Sequence, residues 1–107
     1  GSPGIAFDGS LDLFKINATP KIFILESPFP NPFNPSTTIQ FHIKDSEHIL
    51  FEIYDIQGSK VKTLKNTYMH AGTHEFEWDA TNRSSGIYFF KLITSSGHST
   101  KKAILIK

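Results

Sequence analysis

Residues 37–56 read TTIQFHIKDSEHILFEIYDI. In the first seven, Ile39, Phe41 and Ile43 alternate with Thr38, Gln40 and His42. A period of two places the apolar set on one face of a β-strand and the polar set on the other. After an interruption of charged and polar residues the pattern returns in Ile49–Ile56, with Ile49, Phe51 and Ile53 on one face. Neither run holds a helical period. The stretch therefore reads as two strands, each with one face turned to a core.

Reading outward gives more of the same. Gln57-Gly58 makes a turn, and Ser59–Thr67 returns from it as the second arm of a hairpin; glycine supplies the positive φ that such a connection needs. Ala71-Gly72 marks the next turn, before Thr73–Asp79 (THEFEWD), where His74, Phe76 and Trp78 share a face opposite Glu75 and Glu77. A polar loop, Ala80–Ser85, leads to Gly86–Thr94 (GIYFFKLIT), which is apolar on both faces, as a central strand of a sandwich requires. Ser95–His98 is the last turn and Ser99–Ile106 the last strand. On the other side, Lys21–Ser27 (KIFILES) reads as the first strand, and residues 1–20 as a tether in which Leu11–Ile16 could form a short strand. Seven strands at this spacing predict an all-β, immunoglobulin-like antiparallel β-sandwich. Residues 1–22 are expected to be a tag remnant (Gly-Ser-Pro-Gly) and a linker from a preceding domain, and 23–107 the domain itself. The chain is expected to be a piece of a longer protein.

Between the first two strands lies SPFPNPFNPSTT, Ser27–Thr38, with four of the chain's six prolines. Proline locks φ near −65° and pushes the preceding residue towards extended geometry. The segment is expected to be a stiff, polyproline-like crossing, with Phe29 and Phe33 packed into the open end of the sandwich. Asn31 and Asn34 are expected to close turns through their side chains.

Composition excludes several function classes. Eleven basic and ten acidic side chains leave a formal net charge of +1, too little field to recruit nucleic acid or an acidic membrane surface. The 107 residues contain no cysteine, so disulfides, thiol catalysis and thiolate metal sites are out. No apolar run reaches the ~18–20 residues that span a bilayer, and no signal peptide opens the chain. No Gly-x-Ser-x-Gly, His-Glu-x-x-His or phosphate-cradling motif occurs, and Glu52, Asp55, Glu75, Glu77 and Asp79 are expected on solvent faces or strand ends. The domain is therefore read as not an enzyme, with no cofactor.

Three constellations carry an alternative reading. His42, His48, His70, His74 and His98 form no His-x-His pair, which argues against zinc; His74 is expected to be packed and hydrogen-bonded. Asp79, Asn82 and the loop carbonyls could hold calcium, and an Asx-turn accounts for the same residues. Trp78, Tyr88 and Phe90 could form a sugar-stacking platform, which would make the domain a carbohydrate-binding or adhesive module of a secreted enzyme. Core packing explains the same aromatics.

PNPFNPSTTIQF, IYDIQGSKVKTL, GTHEFEWDA, SGIYFFKL and the lysine-ended KKAILIK follow one another along the chain. In this order they resemble the type IX secretion C-terminal sorting domains, a family related in fold to the C-terminal domain of the flagellar hook-capping protein. The resemblance covers Phe23–Lys107. Phe29 stands where the family usually has Tyr, Ala80 where it often has Gly, and the loop 81–85 is short. The resemblance implies a monomeric tail on an N-terminal cargo domain of the same chain. The cargo would be exported through the periplasm and passed across the outer membrane by a translocon to the surface or medium. A sortase-like peptidase would cut the tail at the linker, about Asn17–Ser27. The residues expected to matter for sorting are Pro30, Asn31, Pro32, Phe33, Asn34 and Pro35 in the proline segment, and Gly86, Tyr88, Lys91, Lys102 and Lys107 in the closing hairpin. That hairpin, with an edge strand open to a partner strand, is the expected recognition element.

Overall fold

In the computed structural model, residues 23–107 are described, and all their regular structure is β. The seven strands are β1 (Phe23–Leu25), β2 (Ser36–Ile43), β3 (Glu47–Asp55), β4 (Lys60–Met69), β5 (Gly72–Asp79), β6 (Gly86–Thr94) and β7 (Gly97–Leu105). They pair antiparallel in two sheets, β1-β2-β5 and β4-β3-β6-β7. The expected sandwich is thus present. The short strand expected at Leu11–Ile16, and the tag and linker at 1–22, lie outside the described residues.

β2 and β3 do not form a hairpin with each other. β2 lies between β1 and β5, while β3 lies between β4 and β6 in the other sheet. Their alternating apolar faces meet across the core instead. Ile39, Phe41 and Ile43 of one sheet and Ile49, Phe51 and Ile53 of the other are all buried, and two faces of this kind are satisfied by packing on each other. Phe41 meets Phe51 edge-on with ring centroids 5.5 Å apart, and stacks on Phe76 at 5.6 Å. Trp78 meets Phe90 at 5.8 Å. Each such side chain contributes about 1.5–3 kcal/mol by burial, and an aromatic pair roughly 0.5–1.5 kcal/mol beyond its area.

The β3–β4 turn depends on Gly58. Its φ of 86° suits glycine, its N–H donates to the Asp55 carbonyl at 3.0 Å, and Asp55 N–H donates to the Ser59 carbonyl at 2.9 Å. The Asp55 carboxylate accepts the amides of Gln57 and Ser59, each at 2.9 Å. Along β3 and β4 the register slips between Phe51 and Glu52 and again between Ile53 and Tyr54.

Glu52 departs from expectation at this slip. It lies on the outer face of its sheet but is only 5% exposed. Its carboxylate is held by the Tyr54 hydroxyl at 2.7 Å and by Lys60 Nζ at 3.3 Å, which supplies the partners that a buried charge needs. That hydrogen bond and the nearby negative charge hold the Tyr54 phenol above its ordinary value of 10.0. Glu47, at the start of β3, is also buried and accepts the Ser95 amide at 2.8 Å, tying β3 to the β6–β7 turn.

Candidate recognition surface

The structure sorts the expected sorting residues into two places. The first is one end of the sandwich, where the proline segment joins the sheets. Phe29 pairs with Thr38 through two backbone hydrogen bonds of 2.9 and 3.0 Å, prolonging β1 beside β2. Four residues later Phe33 pairs with Leu105 of β7 in the opposite sheet, donating to the Ile104 carbonyl at 2.8 Å and accepting from Ile106 at 3.0 Å. The segment then returns, with the Pro35 carbonyl accepting Ala80 N–H at 2.9 Å, to begin β2. It is a clasp between two sheets, not a polyproline-like crossing.

The two phenylalanines part company here. Phe33 is 2% exposed and lies 5.9 Å from Trp78, as expected, but Phe29 is 80% exposed. The pairing with Thr38 decides this, because directly opposed residues of an antiparallel pair share a face, and Thr37, not Thr38, points inward. Asn31 also departs from expectation. Its side chain closes no turn of its own segment; it donates to the Lys102 carbonyl at 3.0 Å and accepts from Ile104 N–H at 2.9 Å. Asn31 and Phe33 therefore occupy the outward backbone groups of β7 at Lys102, Ile104 and Ile106. Alternation along an antiparallel edge leaves the His98–Thr100 stretch as the part open to another strand.

Gly86, Tyr88 and Lys107 belong to the same end. Gly86 opens β6 at a φ of 156° with nothing within 4 Å of where a Cβ would sit, so conformation rather than space favours glycine. Tyr88 is buried against Trp78, ring centroids 5.2 Å apart, and its hydroxyl donates to the Ser84 carbonyl at 2.5 Å. A tyrosine near a strand start bonded to backbone a few residues upstream is the tyrosine corner of immunoglobulin-type sandwiches. Lys107 N–H donates to Ser85 Oγ at 2.9 Å, and its ammonium donates to the Thr81 carbonyl.

Lys91 and Lys102 lie elsewhere, on the outer face of the four-stranded sheet. Lys102 stands opposite Phe89, and Phe89 opposite Tyr54; in the adjacent row Thr100 stands opposite Lys91, and Lys91 opposite Glu52. Tyr54, Asp55, Ile56, Phe89, Lys91 and Thr100 line a groove of about 290 Å³ on this face. Sequence reasoning missed Phe89 and Tyr54. The signal is present in GIYFFKLIT, whose two apolar faces suggest burial on both sides. Here only Tyr88, Phe90 and Leu92 reach the core, and Phe89 stays half-buried on the outside.

Other constellations resolve as packing. Trp78, Tyr88 and Phe90 are all buried, so they offer no sugar-stacking platform. His74 Nε2–H donates to the His70 carbonyl at 2.7 Å, and the ring lies 5.4 Å from that of Phe41. His42 bridges Thr73 at 2.6 Å and Glu26 at 3.1 Å, and His48 meets Asn66 at 2.7 Å. Among the described residues no three His, Asp or Glu side chains gather as metal ligands. Asp79 accepts both the amide and the hydroxyl of Thr81, the Asx-turn arrangement. These bonds hold its carboxyl below the ordinary 3.8. A depressed carboxyl stabilises the fold above its unfolded value, and this is lost as pH falls through the lowered folded value. Replacing Thr81 by Val should raise the Asp79 pKa towards 3.8, as followed by NMR titration of the carboxyl carbon; an unchanged value would show that the hydroxyl plays no part.

The family model of the secretion system C-terminal sorting domain matches residues 27–107. The chain belongs to this family. It is a type IX secretion sorting domain, and the match runs from the clasp through the closing hairpin. Dimeric latent PorU from Porphyromonas gingivalis is similar in structure, with a TM-score of 0.59 and 25% sequence identity. The likeness covers 78% of this chain and 9% of that one, so the sorting domain spans a small part of that protein's length. No curated protein matches the chain.

Proposed function

We propose that this sorting domain is a non-catalytic tail which carries an N-terminal cargo domain of the same chain through the outer membrane, and that the translocon reads its closing β6–β7 hairpin. The observation that carries this reading is the division of labour within the hairpin. Tyr88, Phe90, Leu92, Ala103 and Leu105 build the core. The opposite face carries Lys91 and Lys102 beside the short stretch of β7 edge that the clasp leaves open. A partner can use that face and edge without unfolding the domain. The sortase-like peptidase would cut upstream of Phe23. Residues 23–26 are unsuitable because Phe23–Leu25 pair with β2 and Glu26 N–H donates to the Gln40 carbonyl at 2.9 Å.

The test is a reporter fused in front of this domain in a bacterium with type IX secretion. The parent domain should deliver the reporter to the surface or medium. Changing both Lys91 and Lys102 to Glu should trap it in the periplasm at a stability cost of about 1–2 kcal/mol, because a carboxylate at position 91 stands opposite Glu52. These lysines are a cleaner choice than truncating the last two residues, because Ile106 and Lys107 are tied to the clasp and to the β5–β6 loop. A parent domain that exports nothing from a competent host would sink the sorting role.

A further inference from the structure

The groove on the outer face of the four-stranded sheet has a chemistry of its own. Its floor is the pair Tyr54 and Phe89, both half-buried, and Ile56 at its end is 63% exposed. Its charge is also asymmetric. Glu52 is sealed beneath and already engaged by Tyr54 and Lys60, and the carboxylate of Asp55, which also lines the groove, is taken up by the amides of Gln57 and Ser59. Among the described residues the ion pairs are Lys60–Glu52 and His42–Glu26, so Lys91 and Lys102 flank the floor as uncompensated cations. Apolar floor and cationic flanks together are complementary to an acidic segment bearing an apolar side chain.

Spacing adds a second argument. Lys91 is opposite Thr100, which makes Lys102 its diagonal neighbour, with Cβ atoms roughly 7–8 Å apart. Alternate residues on one face of an extended chain are about 6.6–6.8 Å apart. A strand laid across the sheet along the row Lys102, Phe89, Tyr54 can therefore set a carboxylate at Lys102 within reach of Lys91, and its next residue on the same face over the aromatic floor.

We infer that this groove is the docking site for an extended acidic segment of the translocon, with a carboxylate at Lys102 and Lys91 and an aliphatic side chain on Tyr54 and Phe89. The inference rests on the proposed sorting role for the identity of the partner, but not for the chemistry of the site. The probe is the synthetic peptide acetyl-Glu-Thr-Glu-Thr-Leu-Thr-Glu-amide, titrated into the isotope-labelled chain at low salt and followed by NMR. Its lysine counterpart, with every Glu replaced by Lys, is the control. Saturable shifts should appear at Tyr54, Phe89, Lys91, Thr100 and Lys102, weaken as salt is raised, and be absent with the control. The Lys91→Glu/Lys102→Glu variant should lose at least tenfold in affinity, and Phe89→Ser should weaken binding while the charges remain. Shifts that map instead to the lysines of β4, or an equal response to the basic peptide, would overturn the docking site. Specific binding in the groove together with undiminished reporter export by Lys91→Glu/Lys102→Glu would keep the site but remove the translocon as its partner.

Discussion

Phe41→Ala is expected to remove about 3–5 kcal/mol of stability, the usual cost of deleting a fully buried phenylalanine. Single domains hold only about 5–15 kcal/mol in all, so much of this one should go. Phe41 is 0% exposed and is the ring on which both sheets meet, edge to Phe51 at 5.5 Å and stacked on Phe76 at 5.6 Å. It also lies 5.4 Å from the His74 ring. Its neighbours sit on strands held in place by their own ladders, so the cavity cannot collapse cheaply. The single tryptophan, Trp78, is buried in the same core and reports unfolding directly. Denaturant titrations of parent and variant should differ in midpoint with little change in slope. A loss under about 1 kcal/mol would mean that the sheets do not depend on this contact.

The second large effect separates two phenylalanines of one segment. Phe33→Ala should cost about 3–4 kcal/mol, since the ring is 2% exposed against Trp78. Phe29→Ala, at 80% exposure, should change stability by no more than about 0.5 kcal/mol. The loss of Phe33 should also loosen the clasp. Its backbone holds the Ile104 carbonyl and the Ile106 amide, so Ile106 should exchange its amide hydrogen markedly faster in the variant than in the parent. With its outward groups released, the edge of β7 becomes available to other chains, and the Phe33 variant should self-associate more readily than the Phe29 variant. Equal costs for the two substitutions would contradict the orientation that the Phe29–Thr38 bridge imposes.

The faces of the strands were legible without any structure. Ile39, Phe41 and Ile43, Ile49, Phe51 and Ile53, and Phe76 with Trp78 could be assigned to the core because a strand turns successive side chains to opposite faces, and that rule acts between neighbours along the chain. Gly58 marked its turn for a reason equally local, a positive φ that other residues rarely adopt. The order of motifs from PNPFNPSTT to KKAILIK was enough to raise the family.

Everything that required two distant segments was settled only by the tertiary structure. Nothing within TTIQFHI or ILFEIYD says that consecutive strands will enter opposite sheets, since either pairing would bury the same residues. Phe29 and Phe33 share almost the same local context, and only their partners, Thr38 in one sheet and Leu105 in the other, turn one out and the other in. Glu52 is hidden because the register slips beside it and brings Tyr54 and Lys60 to its carboxylate. Lys91 and Lys102 become neighbours of Tyr54 and Phe89 through the pairing of β3, β6 and β7. Alternation along a strand is a property of the backbone; which strands lie side by side is decided by the burial and hydrogen bonding of the whole domain at once.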